Sequence, residues 1–268
     1  MKDEVYSHGH HQSVVKAHAI RTAEDCAAYL LPELKPGMML LDVGCGPGSI
    51  TVDLAERVAP GQVTGLDRSD DVLTQAAELA ALRGIENATF VAGNIYDLQF
   101  DDDTFDVVHA HQVLQHLTDP VAALYEMRRV VKPGGIVAVR DADFHGMSWY
   151  PELPELDDWM ETYQKLARGN RAEPDAGRHL IAWAQAAGFH DITPSSSNWL
   201  YATEEQRRWQ GEVWSERVLH SGYAEQSLER GLIDRAGLER IARGWLTWAA
   251  APDAWFLIPN GEILARKP

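Results

Sequence analysis

Hydrophobic positions in the first half of the chain fall into short runs whose period alternates. Residues 38–44 (MMLLDVG), 62–67 (QVTGLD), 88–94 (ATFVAGN), 105–111 (FDVVHAH) and 135–143 (GIVAVRDAD) are apolar segments that end in polar residues or glycine. Their length and β-branched content predict strands, and their apolar character on both faces predicts a sheet covered on both sides. Residues 49–58, 69–83 and 119–131 read as helices, the last stopped by Lys132-Pro133-Gly134-Gly135. Another helix is expected over 21–34, where Ala23, Ala27, Leu30, Leu31 and Leu34 recur at helical spacing before Pro36-Gly37. Strands alternating with helices imply βαβ units around a parallel sheet.

Beyond Asp143 the rhythm weakens. Residues 146–170 predict a helical insertion, and 177–189 a helix closed by Gly188. Residues 191–202 predict a strand, and Thr203 with Gln206 three residues on reads as a capping box. The helical stretch it opens runs to about residue 250, broken near Gly222 and Gly231, and 254–267 predicts a closing strand. The expected organisation is an N-terminal arm or lid (1–20), a ligand-binding core (21–145), a helical insertion (146–176), a core helix and strand (177–202), a helical cap (203–252) and a closing strand (253–268).

Charge narrows the function. The chain has 268 residues and a formal net charge of −16. That acidic balance repels phosphate backbones and anionic lipid, which argues against nucleic acid and membrane as partners. Two cysteines, Cys26 and Cys45, argue against a disulfide framework and predict a cytoplasmic setting. The polar start, MKDEVYSHGHH, has no apolar run of the kind a secretory signal needs.

The sharpest motif is DVGCGPGS at 42–49, between a strand and a helix. Its glycines, Gly44, Gly46 and Gly48, follow G-x-G-x-G spacing with Pro47 inside. This departs from the dinucleotide fingerprint, which needs a third glycine one residue later, and from the phosphate loop, which needs a Lys-Ser/Thr pair. Asp67 ends the second strand, where a carboxylate can accept both hydroxyls of a ribose or can simply cap the next helix. Gly93-Asn94-Ile95 ends the third strand and offers an amide to an adenine edge.

Together, DVGCGPG, GLDRS, GNIYDL and FDVVHAHQVLQHLTDPVAALYEMRRVVKPGG resemble the class I S-adenosylmethionine-dependent methyltransferases, in the UbiE/COQ5-like small-molecule branch. The resemblance covers about residues 38–143. It implies an α/β Rossmann-like fold with a seven-stranded, mostly parallel sheet, helices on both faces and a helical cap. It implies S-adenosylmethionine as cofactor. Gly44, Cys45 and Gly46 would approach its methionine part, Gly48 would permit close helix packing, and Asp67 would bind the ribose. Arg68 and Val72 would flank the adenine, Asn94 and Ile95 would hold its edge, and His111 and Gln112 would lie beside the sulfonium. Asn94 stands where the family usually has aspartate.

Methyl transfer from a sulfonium is an in-line displacement, so a general base is needed only for a protonated acceptor. His111 and His145, after the fourth and fifth strands, are the catalytic candidates. The arm, with Tyr6, His8, His10, His11 and His18, reads either as a lid, with Tyr6 touching the cofactor, or as a solvated tail. No metal is expected: Asp141 and Asp143 are hard-cation ligands, but the fourth strand ends in His109 and His111. Trp149, Trp159, Trp199, Trp209, Trp214, Trp245 and Trp248, with Tyr150 and Tyr163, are shared between core packing and a pocket for a flat or apolar acceptor. Arg207, Arg208 and Arg217 are either solvated helix charges or partners for an acidic acceptor. The expected reaction is O- or C-methylation of a small organic molecule, and the inserted helices can supply either a private lid or a homodimer face. Two alternatives stay open: a protein of this fold that binds the sulfonium without transferring methyl, and a non-catalytic interaction protein.

Overall fold

The computed structural model describes residues 21–268. Its centre is a sheet in which β3 (Ala88–Ala92), β2 (Val63–Asp67), β1 (Leu40–Val43), β4 (Phe105–His111) and β5 (Val131–Ala142) run parallel in that order. The last strand, β8 (Trp255–Arg266), lies antiparallel to β5 and carries β7 (Asp191–Tyr201) on its other side. The expected strands are all present. An eighth, β6 (Ser148–Tyr150), pairs with Trp255–Leu257, where β8 outruns the end of β5 and would otherwise expose unpaired backbone. The start of the 146–170 stretch is therefore extended rather than helical.

Helices α2 (Ser49–Val58), α3 (Asp70–Leu82), α4 (Pro120–Val130) and α6 (Leu180–Ala186) cross between core strands or pack beside them. The helix expected over 21–34 is a correction: only α1 (Ala23–Cys26) and a 3₁₀ turn at Leu31–Glu33 form. Pro32 lacks the N–H that a continuing helix needs and disfavours helical geometry at Leu31. The apolar spacing still does its work, because Ala23, Ala27, Leu30 and Leu34 are buried against α2 and the β1 side of the sheet.

The C-terminal helices form a second layer. They are α5 (Pro154–Gly169), α7 (Glu204–His220), α8 (Gly222–Glu229) and α9 (Arg235–Ala250). The capping box forms as predicted: Gln206 N donates to Thr203 Oγ1 at 3.3 Å and Thr203 N to Gln206 Oε1 at 3.1 Å. An aromatic cluster binds these helices to β8. Trp159 meets Trp245 edge-to-face at 5.0 Å, Trp214 stacks on Trp245 at 5.7 Å, and Phe256 of β8 lies 5.2 Å from Trp245. Burying such rings supplies most of what holds two helices together. Among the described residues no helix is long and apolar enough to cross a membrane.

Trp245 has no exposed surface and contacts α5, α7 and β8 at once. Trp245→Ala is expected to cost about 3–5 kcal/mol, read as a lowered urea midpoint and a collapsed near-ultraviolet circular dichroism signal, with the far-ultraviolet signal largely kept.

Candidate active site

Parallel strands put their carboxyl ends on one edge, and this sheet reverses direction of growth between β1 and β4. That split is where open α/β sheets bind ligands. The glycine loop leaves β1 at this point. Gly44, Gly46 and Gly48 all have positive φ, of 72°, 54° and 80°. A Cβ on Gly48 would lie 2.7 Å from Ala76 Cβ of α3, so helix packing requires glycine there. A Cβ on Gly46 would meet nothing within 4 Å, so this backbone faces open space, as a ligand-approach position should.

The loop is clamped from β2. Gly44 N and Cys45 N donate to Leu66 O at 2.7 and 3.1 Å. Asp67 accepts from Gly46 N at 3.0 Å on one oxygen and from Ser69 N at 3.1 Å on the other. A carboxylate has about four acceptor positions, so both oxygens keep capacity for ribose hydroxyls. Cys45 is buried and its thiol pKa is raised, chiefly by burial, so it packs rather than reacts. Beneath the loop, the buried Asp42 accepts from Thr51 Oγ1 at 2.6 Å and pairs with His109 Nδ1 at 2.8 Å.

The other predicted residues follow round the edge. Arg68 is exposed, whereas Val72 and Ile95 are buried. Asn94 Oδ1 accepts from Tyr96 N at 3.1 Å, a short turn that fixes the amide at the end of β3. Asp67 and the Asn94 turn leave neighbouring strands, which suits an adenosyl group laid across the edge, and the open Gly46 backbone suits its methionine end. Tyr6 and the arm histidines lie outside the described residues.

After β4 the chain turns sharply through Gln112, a non-glycine residue at φ 57°. Gln112 Nε2 donates to Asn260 Oδ1 at 2.8 Å, Gln115 Nε2 to Gln112 Oε1 at 2.9 Å, and Gln115 Nε2 lies 3.1 Å from His116 Nε2. This polar chain runs along the wall of a cavity of about 800 Å³. The opposite wall is α7, with Trp209, Gln210, Trp214 and Arg217, and Trp199 of β7 closes one side. Of the aromatic residues singled out from sequence, Trp199, Trp209 and Trp214 line this cavity, while Trp159, Trp245 and Trp248 are core.

Neither catalytic candidate lines the cavity. His111 is buried, edge-on to Trp199 at 5.7 Å. His145 is exposed on a 3₁₀ turn whose backbone N–H is held by Asp175 at 2.8 Å. His116, which no spacing argument selects, does line it. Burial, with a smaller contribution from the Arg21 charge, pushes its imidazole down to about 3, so it stays neutral. Its signal was position alone: it lies in the loop after the strand at the split. Arg208 and Arg217 also line the cavity, whereas Arg207 turns back to Ala202 O at 2.5 Å.

Two carboxylates at the end of β5 and just beyond it behave differently. Asp143 is held by Arg178 through Nε and a terminal nitrogen at 2.5 and 2.6 Å. Asp141 is fully buried and accepts from Gln115 N at 3.2 Å, while its Oδ2 has no partner among the described residues. Under Trp199, Arg140 is buried, its Cζ 4.4 Å from the indole, and its Nε donates to Ser197 Oγ and Glu262 Oε1 at 3.0 and 3.2 Å.

Comparison with known proteins bears on the family and the fold. A methyltransferase-domain family model matches residues 34–210. The chain is 38% identical to an uncharacterized methyltransferase of Schizosaccharomyces pombe over 98% of its own length and 96% of that protein. It is 42% identical to the demethylmenaquinone methyltransferase of Bacillus cytotoxicus over 106 residues, 39% of this chain and 45% of that one. The YcgJ protein of Bacillus subtilis, at 18% identity, superposes with a TM-score of 0.58 over 90% of this chain and 97% of its own.

Burial raises the Asp141 pKa from its ordinary 3.8 to about 7. The folded chain therefore keeps a proton that the unfolded chain has shed, and its stability falls as pH rises through that window. Asp141→Asn has no such proton to lose. The melting temperature of the variant relative to wild type should rise between pH 5 and pH 8; a constant difference would show that Asp141 titrates normally.

Proposed function

The chain belongs to the class I S-adenosylmethionine-dependent methyltransferase family, and on that premise we propose that it moves a methyl group to a small organic acceptor held between α7 and the sheet edge. The observation that carries this reading is Gln112. It ends the β4 turn at the split of the sheet and also forms part of the cavity wall, so cofactor edge and acceptor cavity share a residue. A volume of about 800 Å³ lies in the range of small-molecule sites. A net charge of −16 disfavours a nucleic-acid acceptor, and the low cysteine count supports a cytoplasmic setting.

We assign the backbone of Gly44, Cys45 and Gly46 to the methionine part of the cofactor and Asp67 to its ribose. Arg68, Val72, Asn94 and Ile95 are assigned to the adenine. When bound, the cofactor supplies an electrophilic methyl group on a sulfonium. The chain's own task is alignment and exclusion of water. The glycine loop, clamped by Leu66 O and Asp67, fixes one reactant, and the indoles of Trp199, Trp209 and Trp214 fix the plane of the other. Gln112, locked between Asn260 and Gln115, keeps the wall between them in one conformation. Helices α5 and α7–α9 act as the cap that keeps water from the acceptor. An oxygen or carbon nucleophile suits this setting.

Calorimetric titration with S-adenosylmethionine and S-adenosylhomocysteine tests the assignment. Wild type should bind both saturably, and Asp67→Ala should weaken each at least tenfold, about 1.4 kcal/mol. Failure of folded wild type to bind either would overturn the reading.

A further inference from the structure

One polar group in the cavity wall has no explanation in the fold. Gln210, on α7, is 2% exposed, and its Nε2 has no hydrogen-bond partner among the described residues. A buried amide donor left unpaired costs about 1–3 kcal/mol, so such a group calls for a water, an ion or a ligand, and this one, unlike the unpaired indoles of Trp159 and Trp245 in the core, stands in a cavity wall. Other residues lining the cavity are aromatic: Trp209 and Trp214 of α7 and Trp199 of β7. The cavity is thus a slot for a flat ring with one hydrogen-bond donor set into its side.

Charge around the slot is uneven. Asp25, Glu205, Glu212 and Arg208 are exposed lining residues and Arg21 is half-buried, whereas Arg217 is the buried charged residue of the lining, with its Cζ 5.0 Å from the Trp214 ring centroid. Below Trp199 a second buried guanidinium, Arg140, lies outside the lining and is already offset by Glu262, which leaves Arg217 as the cation of the deep wall. The deep wall therefore favours an oxygen that carries partial or full negative charge. At the opposite wall, the Gln112–Gln115–His116 chain offers polar atoms to the end that would face the cofactor.

We propose that the acceptor is a planar aryl compound bearing a nucleophilic hydroxyl at one end and a carbonyl or carboxylate oxygen at the other, with that second oxygen read by Gln210 Nε2. Gln210 is then a specificity-determining residue. This inference deepens the methyltransferase reading and rests on it. A site built around a buried donor rejects an analogue that lacks the matching oxygen far more strongly than an apolar slot rejects a change of shape.

Three matched naphthols test it: 6-hydroxy-2-acetonaphthone, 6-hydroxy-2-naphthoate and 6-ethyl-2-naphthol. They share a ring and a hydroxyl and differ in the distal oxygen. Binding is measured by quenching of tryptophan fluorescence, with and without saturating S-adenosylhomocysteine, on wild type, Gln210→Leu and Gln210→Glu. The ketone or the carboxylate should bind wild type at least tenfold more tightly than the ethyl compound, and whichever of the two is tighter reports the charge of the preferred oxygen. Gln210→Leu should erase that preference. Gln210→Glu, which keeps the shape and offers an acceptor oxygen in place of a donor, should weaken the carboxylate most. S-adenosylhomocysteine affinity should be unchanged in both variants, which also shows that they are folded. Equal binding of all three naphthols to wild type, no binding of any of them to protein that does bind S-adenosylhomocysteine, or a preference that survives both substitutions would each overturn the proposal. Absence of S-adenosylhomocysteine binding would instead strike at the cofactor assignment. Discrimination by Gln210 would then be read from the arm without that ligand.

Discussion

A buried carboxylate sets the geometry of this molecule. Asp42 is 3% exposed, sits in β1 two residues before the first glycine of the loop, and is held by the Thr51 hydroxyl and the His109 ring. Removing a carboxylate from water costs several kcal/mol unless its lone pairs are met, so this arrangement admits little play. The partners come from α2 and β4, so one side chain ties the strand before the loop, the helix after it and the strand across the split of the sheet. The open backbone at Gly46 and the turn at Gln112 lie on either side of that junction.

The polar order then continues outward. Arg140 of β5 sits in register with His111 of β4 and Glu262 of β8. Its guanidinium is met by Ser197 and Glu262 and covered by Trp199. Asn260, two residues before Glu262, holds Gln112, and Gln112 holds Gln115. The antiparallel closing strand is therefore more than an edge cover. It anchors the turn after β4 through Asn260, and its other end, through Phe256, anchors the aromatic cap. A single strand links the position of the loop to the position of α7.

Much of this was legible in the sequence, and the reason differs by region. Strands β1, β2, β4 and β5 are largely buried, so their apolar runs read as strands, whereas β3 at the sheet edge is mostly exposed despite its apolar run; the glycine motif and Asp67 take their places from chain order alone. The 21–34 segment misled because apolar spacing reports which residues face the core, not whether the backbone between them stays helical; Pro32 decides that. Strand β6 was hidden because three residues carry no period. The cap helices were visible, with their breaks, but the side of each helix that meets a cavity depends on tertiary packing. Hence Trp209 and Trp214 could not be told from Trp245 and Trp248, and nothing in the sequence singles out Gln210.

The same packing decides what kind of catalyst the chain can be. A general base works best when its pKa lies near the operating pH. His116 borders the cavity, but burial holds its imidazole at about 3, which makes it a hydrogen-bond acceptor and a poor sink for a proton. Asp141 has a suitable value, about 7, but it lies behind Gln115 rather than in the lining. His111 lies under Trp199. Apart from the neutral His116, the chain thus offers the cavity, among its described titratable residues, only the exposed carboxylates Asp25, Glu205 and Glu212 as bases. Its contribution is to hold the acceptor's plane and to orient the acceptor's hydroxyl. An acceptor acidified by its own conjugated carbonyl needs least help, because withdrawal through the ring lowers the barrier that a base would otherwise lower. The donor on Gln210 would strengthen that withdrawal by bonding to the distal oxygen, so recognition and activation would reside in one contact.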